Sequence, residues 1–254
     1  MRFGLLTIAA AAMATTPALA GTVITSTMTT PEAAGGKSVV YLEPDRVRVE
    51  SQNDVTIFRA DQNTVYVLHP ADRKFMRITP QSMQQVAAAM AAARTQLAQR
   101  MKSMTPQQRA EVEKMMPGGA AGHAPKFEFR KAGGTATFGK WPCERVEELA
   151  DGRPQAQLCV AKLADLGLSN DDLAALRRFE DFMRKASPEA GSSAAIDPQA
   201  LQRVVGYEAF PVHSEIPAAH VQTTTESVEK KPIAANLFEV PAGYSEQAMP
   251  TAPH

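Results

Sequence analysis

The sequence predicts an α+β protein, an antiparallel β-sheet covered by helices and fastened by one disulfide. Short alternating runs punctuated by turn residues predict the sheet. A switch of apolar period near residue 79 predicts the helical cover. Two cysteines placed about a tight-turn signal predict the disulfide.

The chain opens with a pattern that is expected to be removed. Arg2 is a short positive region, and Leu5, Leu6, Ile8 and the alanines from Ala9 to Ala12 follow as an apolar region. Ala18 and Ala20 then supply small residues before Gly21, so residues 1–20 read as a cleavable signal peptide. A spanning helix needs roughly 20 continuous apolar residues, and Thr15, Thr16 and Pro17 interrupt this run. Lipoprotein acylation needs a cysteine after the cleavage point, where this chain has Gly21. The mature protein is therefore expected to be soluble, unacylated, exported to the periplasm and not membrane-spanning. Loss of Arg2 leaves a formally neutral chain one unit negative. That balance gives no basic face for nucleic acid.

Residues 21–254 are expected to form a single β-rich domain with a helical insert at 79–124 and a helix-loop insert at 165–202. Strands are predicted at 37–43, 46–50, 55–59, 65–68 and 74–78, separated by turn residues such as Pro44-Asp45 and Gln52-Asn53-Asp54. Thr79 then stands as an N-cap before Pro80 at the first helical position. Met83, Val86, Met90, Leu97 and Met104 make one apolar stripe through the first insert, with Ala93 filling a gap. A second helix is expected at 105–116, opening on the capping box Thr105-Pro106-Gln107-Gln108. A Gly-rich linker at 117–122 ends it.

Further strands are predicted at 126–131 and 135–141, then a hairpin that carries Cys143 and Cys159 about Asp151-Gly152. If Ala150, Asp151 and Gly152 form a three-residue loop, Leu149 faces Arg153 and Cys143 sits directly opposite Cys159. Directly paired residues have Cβ atoms about 4.5–5.5 Å apart, close to bonding reach. An oxidising compartment closes such a bridge, and the Cys spacing is not that of a redox C-x-x-C pair. A third helix follows Ser169 and presents Leu173, Leu176, Phe179, Phe182 and Met183, with Asp171 and Asp172 in its first turn. Residues 204–216, 221–230 and 237–240 read as closing strands.

No enzyme is predicted. The histidines His69, His123, His213, His220 and His254 are scattered, and no nucleophile elbow, phosphate loop or dinucleotide fingerprint occurs. No cofactor is expected either. Met101, Met104, Met115, Met116 and His123 form a loose soft-ligand cluster, which makes Cu(I) binding a lesser alternative.

The run Tyr66-Val67-Leu68-His69-Pro70-Ala71-Asp72-Arg73-Lys74-Phe75, followed by a Met/Gln-rich insert and the Trp141-Pro142-Cys143…Cys159 hairpin, resembles a family of secreted bacterial proteins. That family carries only the label "domain of unknown function". The runs Leu166-Gly167-Leu168-Ser169-Asn170-Asp171-Asp172 and Leu237-Phe238-Glu239-Val240-Pro241-Ala242-Gly243-Tyr244 extend the resemblance over most of the chain. Its sheet is similar to the curved half-barrel of the LolA/LolB lipoprotein carriers, which holds acyl chains beneath helices. The resemblance implies a curved, LolA/LolB-like sheet and transfers no catalytic residue. With the adaptable Met side chains of the insert, it makes a non-enzymatic periplasmic binding protein the expected function. The expected ligand is a lipid or lipoprotein acyl chain, covered by the stripe of Met83, Val86, Met90, Leu97 and Met104. The alternatives are a structural or interaction protein akin to an envelope-stress chaperone, and the copper binder.

Overall fold

Alternation along the sequence is realised as one large sheet. A computed structural model describes residues 20–31, 35–102, 104–105, 126–186 and 198–249. The expected signal peptide up to residue 19, most of the expected second helix and the Gly-rich linker lie outside the described residues. The strands are β1 (Ala20–Thr29), β2 (Gly36–Glu43), β3 (Arg46–Glu50), β4 (Val55–Arg59), β5 (Thr64–His69), β6 (Lys74–Ile78), β7 (Phe127–Phe138), β8 (Trp141–Ala150), β9 (Arg153–Lys162), β10 (Ala209–Ile216), β11 (Val221–Pro232) and β12 (Ser245–Glu246). The helices are α1 (Pro80–Lys102), α2 (Ala174–Ala186) and α3 (Pro198–Val205), with 3-10 turns at Leu163–Leu166, Pro217–Ala219 and Ala235–Phe238.

The strands lie side by side in the order β12-β6-β5-β4-β3-β2-β1-β11-β10-β9-β8-β7, so the sheet is open, with β12 and β7 at its edges. Neighbours are antiparallel apart from the short parallel pair of β12 with β6. Two meanders thus run outward from a central join between β1 and β11. The predicted strands 46–50, 55–59 and 74–78 coincide with β3, β4 and β6.

Both faces are apolar and both are covered. One face carries Ile24, Leu42, Val47, Phe58 and Val65 from one meander and Trp141, Cys143 and Cys159 from the other; Leu173, Ala175 and Phe182 close over it from the α2 segment. On the opposite face Val23, Ile57 and Leu68 pack under Ile233 and Phe238. Val146, Leu158 and Val160 pack there under Leu201 and Val205 of α3. Full burial of each such side chain stabilises by about 1.5–3 kcal/mol.

The C-terminal cover is held by a lattice of arginines. Arg48 Nη1 donates to the Leu237 carbonyl at 2.8 Å, and Arg59 Nη1 to the Phe238 carbonyl at 3.5 Å. The Arg46 guanidinium lies 4.9 Å from the Phe238 ring centroid, a cation–π contact. Each cation has its own acid: Glu43 for Arg46, Glu50 for Arg48 at 2.7 Å and Asp61 for Arg59 at 2.6 Å. Hydrogen bonding from Arg59 holds the Asp61 carboxyl below the usual carboxylate range. Charges on this half-buried surface are thereby paired, which is what their desolvation requires.

Several sequence expectations are corrected. Trp141 does not end a strand at 135–141; it opens β8 after a Gly139-Lys140 turn in which Gly139 takes φ 58°. Val204 belongs to α3 and not to a strand, because Leu201, Val204 and Val205 fall on one helical face that packs on the sheet. Residues 237–240 do not form a strand: Ala235–Phe238 is a 3-10 turn that buries Phe238.

The disulfide forms between Cys143 and Cys159, with Cα atoms 5.4 Å apart, but not in the expected register. The loop has two residues, so Ala150 faces Arg153. Asp151 (φ 50°) and Gly152 (φ 77°) both take the left-handed conformation that a type I′ turn requires. A bulge at Glu148/Leu149 shifts the ladder again, and Arg145 faces Cys159. The offset totals two residues. Side chains alternate with a period of two, so both sulfurs stay on one face and the bond runs diagonally.

Glu148 is the anomaly of the opposite face. It is 7% exposed beside α3, and burial pushes its carboxyl above the ordinary glutamate value. The neutral form is favoured in the folded state, so this group's contribution is fully present below the unfolded pKa and is lost as pH rises through the folded one. Glu148→Gln is therefore expected to raise the thermal midpoint at pH 7 and leave it unchanged at pH 3, as read by circular dichroism melts at both pH values. Replacing both cysteines by alanine is expected to cost about 3 kcal/mol in chemical denaturation.

Candidate functional site

A concavity opens where the two helices on the first face come together. The cap that starts α1 fixes one wall. Ser82 N donates to Thr79 Oγ1 at 3.1 Å, and Thr79 N donates to Ser82 Oγ at 2.9 Å. This reciprocal arrangement satisfies amides that the helix end leaves open. Pro80, Met83, Gln84 and Ala87 of α1 then face Arg178, Asp181, Phe182 and Lys185 of α2 across a cleft of about 580 Å³. Phe58 and Ala60 at the end of β4 and Asn63 in the following turn complete it.

The floor is aromatic and the rim is charged. The Phe58 ring lies 5.4 Å from that of Phe179 and 5.7 Å from that of Phe182, centroid to centroid. Such tilted pairs add about 0.5–1.5 kcal/mol beyond burial. At the rim, Arg178 Nη2 donates to the Pro44 carbonyl at 2.9 Å, which fixes α2 against the β2–β3 turn. Asp181 is ion-paired with Arg184 one turn along the helix. The rim cations Arg178 and Lys185 thus face an acid that already has a counter-ion.

The structure places the expected covering residues unevenly. Met83 lines the cleft, whereas Val86, Leu97 and Met104 are half-buried and outside it. The placement of the Met90 side chain lies outside the described residues. None of the described α1 side chains is buried, so the helix meets α2 through its first turns and leaves the rest of its length lightly packed. Sequence reasoning had the Phe179 and Phe182 stripe but did not join it to Phe58, some 120 positions earlier. Of the alternative copper cluster, Met101 and Met104 are half-buried, while Met115, Met116 and His123 lie outside the described residues. Among the described residues, no group of three or more His, Cys, Asp or Glu side chains is placed to hold a metal ion.

Asp172 accepts from Ser169 N and Oγ, each at 2.8 Å, and pairs with Lys230. Burial opposes the charge, but these partners prevail and hold the carboxyl below its usual value. Its part is to fix the entry to α2. The helix itself begins at Ala174, one turn later than Asp171 and Asp172 would make it. A second concavity of about 330 Å³ lies across β7 to β10, with Arg145, Gln157 and Glu215 on its walls. Within it the His213 ring stacks on Phe138 at 3.9 Å and Nδ1 lies 2.9 Å from Thr224 Oγ1. Burial lowers the histidine's pKa.

No family model matches the chain, and no curated protein matches it. Among solved structures it is similar to PNGF-II in two crystal forms. The C2 form gives 9% identity and a TM-score of 0.41 over 91% of this chain, and the P21 form 9% and 0.39 over 90%. The chain spans 31% of the length of that protein in each case. Likeness at this level carries no functional argument. No described helix is long and apolar enough to cross a membrane.

Thr79→Ala is expected to cost about 1 kcal/mol locally. Hydrogen exchange would show faster exchange in the first turns of α1, with the β4 and β5 amides unchanged.

Proposed function

We propose that the protein is an exported, non-catalytic binding protein that takes the apolar chain of a lipid or lipoprotein in the α1–α2 cleft. The observation that carries the reading is the cleft itself, an aromatic floor of Phe58 and Phe182 beneath a lightly packed helix that contributes Met83 and Ala87. Its volume falls within the roughly 300–1,000 Å³ usual for small-molecule sites. Each methylene buried there contributes about 0.8 kcal/mol, so a long chain needs few polar contacts. Arg178 and Lys185 at the mouth suit an anionic head group. Export rests on the signal-like residues 1–20 and is supported by the closed disulfide. The periplasm is the proposed compartment. A half-barrel curvature like that of the LolA/LolB carriers is proposed with it, curling being one of the ways in which a twisted open sheet of more than about ten strands is accommodated.

A second reading, an interaction protein without a small-molecule ligand, has its own support. The face beneath α2 is filled by Phe58, Phe182 and Trp141, which confines any guest to the margin under α1. Native mass spectrometry of protein purified from its host separates the two. Co-purifying lipid is the expected result, and a clean protein mass that stays unshifted with added fatty acid or phospholipid would favour the second reading. Ala87→Trp fills the cleft from an exposed position. It is expected to weaken fatty-acid binding at least tenfold (about 1.4 kcal/mol) without lowering the melting temperature.

A further inference from the structure

The outer edge of the sheet at β7 is built in a self-complementary way. β7 is the last strand in the order, and no described strand pairs with its outer side. The direction of its backbone groups follows from one contact. The Lys126 carbonyl accepts from Asp151 N at 2.9 Å, and Lys126 N donates to Asp151 Oδ1 at 2.9 Å. Lys126 therefore directs both main-chain groups inward, toward the β8–β9 turn. Alternation in an antiparallel ladder turns those of Glu128 and Arg130 inward as well. The N–H and C=O groups of Phe127, Phe129 and Lys131 then point outward from the sheet. Beyond Lys131 the ladder breaks at a bulge that contains Gly133 and Gly134, each at φ 79°. Bulges bend and twist a strand, so the flat portion of the edge is residues 127–131.

We infer that this edge pairs antiparallel with the same edge of a second copy of the chain, on a two-fold axis through Phe129. In that register Phe129 meets Phe129 and Phe127 meets Lys131, the residues whose main-chain groups face outward. Glu128 then stands opposite Arg130 of the second copy, twice, in the non-hydrogen-bonded positions where side chains approach most closely. Moving the axis to Lys131 would set that lysine against itself and leave Glu128 and Arg130 without charged partners. The charges therefore select the Phe129-centred register over that one.

The apolar surface agrees with this pairing. Phe129 is half-buried and packs with Val146, Leu158 and Leu201 in the patch under α3. A two-fold axis normal to the sheet keeps each face on its own side, so two such patches and two α3 helices become neighbours on one face of the joined sheet. Long unpaired edges invite pairing of this kind. Glu128 and Arg130 are exposed, and their ion pairs within the chain, with Lys126 and Glu147, are exposed too. Such pairs hold their partners weakly and leave the side chains able to turn to a second copy.

The test is sedimentation of the protein, purified as its host processes it, over a range of concentrations. Dimerisation is expected. Arg130→Glu would place like charges at both facing positions and weaken the dimer about tenfold. The double variant Glu128→Arg/Arg130→Glu restores opposite charges at those positions and is expected to recover the dimer. Thermal melts of both variants report whether each still folds. A protein that stays monomeric at every concentration overturns the inference. So does a dimer that ignores Arg130→Glu, or one that the double variant fails to restore.

Discussion

The ladder between β1 and β11 is the join on which the rest of the sheet depends. Most other neighbouring strands follow one another in sequence, and apart from β9 and β10 these are joined by short connections. β1 and β11 come from opposite ends of the chain and meet along the whole ten-residue length of β1. Thr27 faces Thr224 and Ser26 faces Thr225 across this join. β-Branched and hydroxyl-bearing pairs of this kind suit facing positions on a pleated surface. Gly21 shows how closely the chain packs there. A Cβ atom at that position would lie 2.4 Å from Ile233 Cδ1 and 2.7 Å from the Leu42 carbonyl. Without the join, two separate meanders would each expose an unpaired strand edge and would not share one covered face.

An open sheet of this size has two faces to cover, and the manner of covering decides where a guest could enter. α2 and the Leu163–Leu166 turn seal the middle of the first face. The C-terminal segment seals half of the other face through Phe238 and its three arginines, and α3 seals the second half. Phe238 and Leu201 are fully buried in the two covers of that face, and the charges around Phe238 are paired. α1 differs, since it has a firm cap and no buried described side chain. Its position is set at one end and weakly constrained beyond, and so the cleft lies beneath its first turns.

Much of the meander was legible because two signals agreed. From β2 to β6 the apolar alternation and the turn residues mark the same boundaries, and the capped start of α1 follows directly. Agreement failed where runs were short. Leu201, Val204 and Val205 fit a helix, yet the following Tyr207 to Ile216 stretch reads as strand, and nothing local divides them until Gly206. Phe238 sits in a run that looks extended and is instead wound into a 3-10 turn by the packing of the sheet beneath it. The hairpin of Cys143 and Cys159 was legible as a pairing but not as a register, since turn length and bulge each move the ladder by one residue. The cleft was the least legible part. Met83 came from the stripe, whereas Phe58 and Phe182 meet only through tertiary packing.

The position of the central join has a consequence for how the protein is made. β1 is made ahead of the other described strands, whereas its partner β11 follows only after β2 to β10. Until then the first meander carries an unsatisfied inner border, and neither half can complete the shared covered face. Contacts so distant along the chain form slowly, and an incomplete sheet is prone to associate with its like. The architecture therefore withholds its final state until β11 has joined β1.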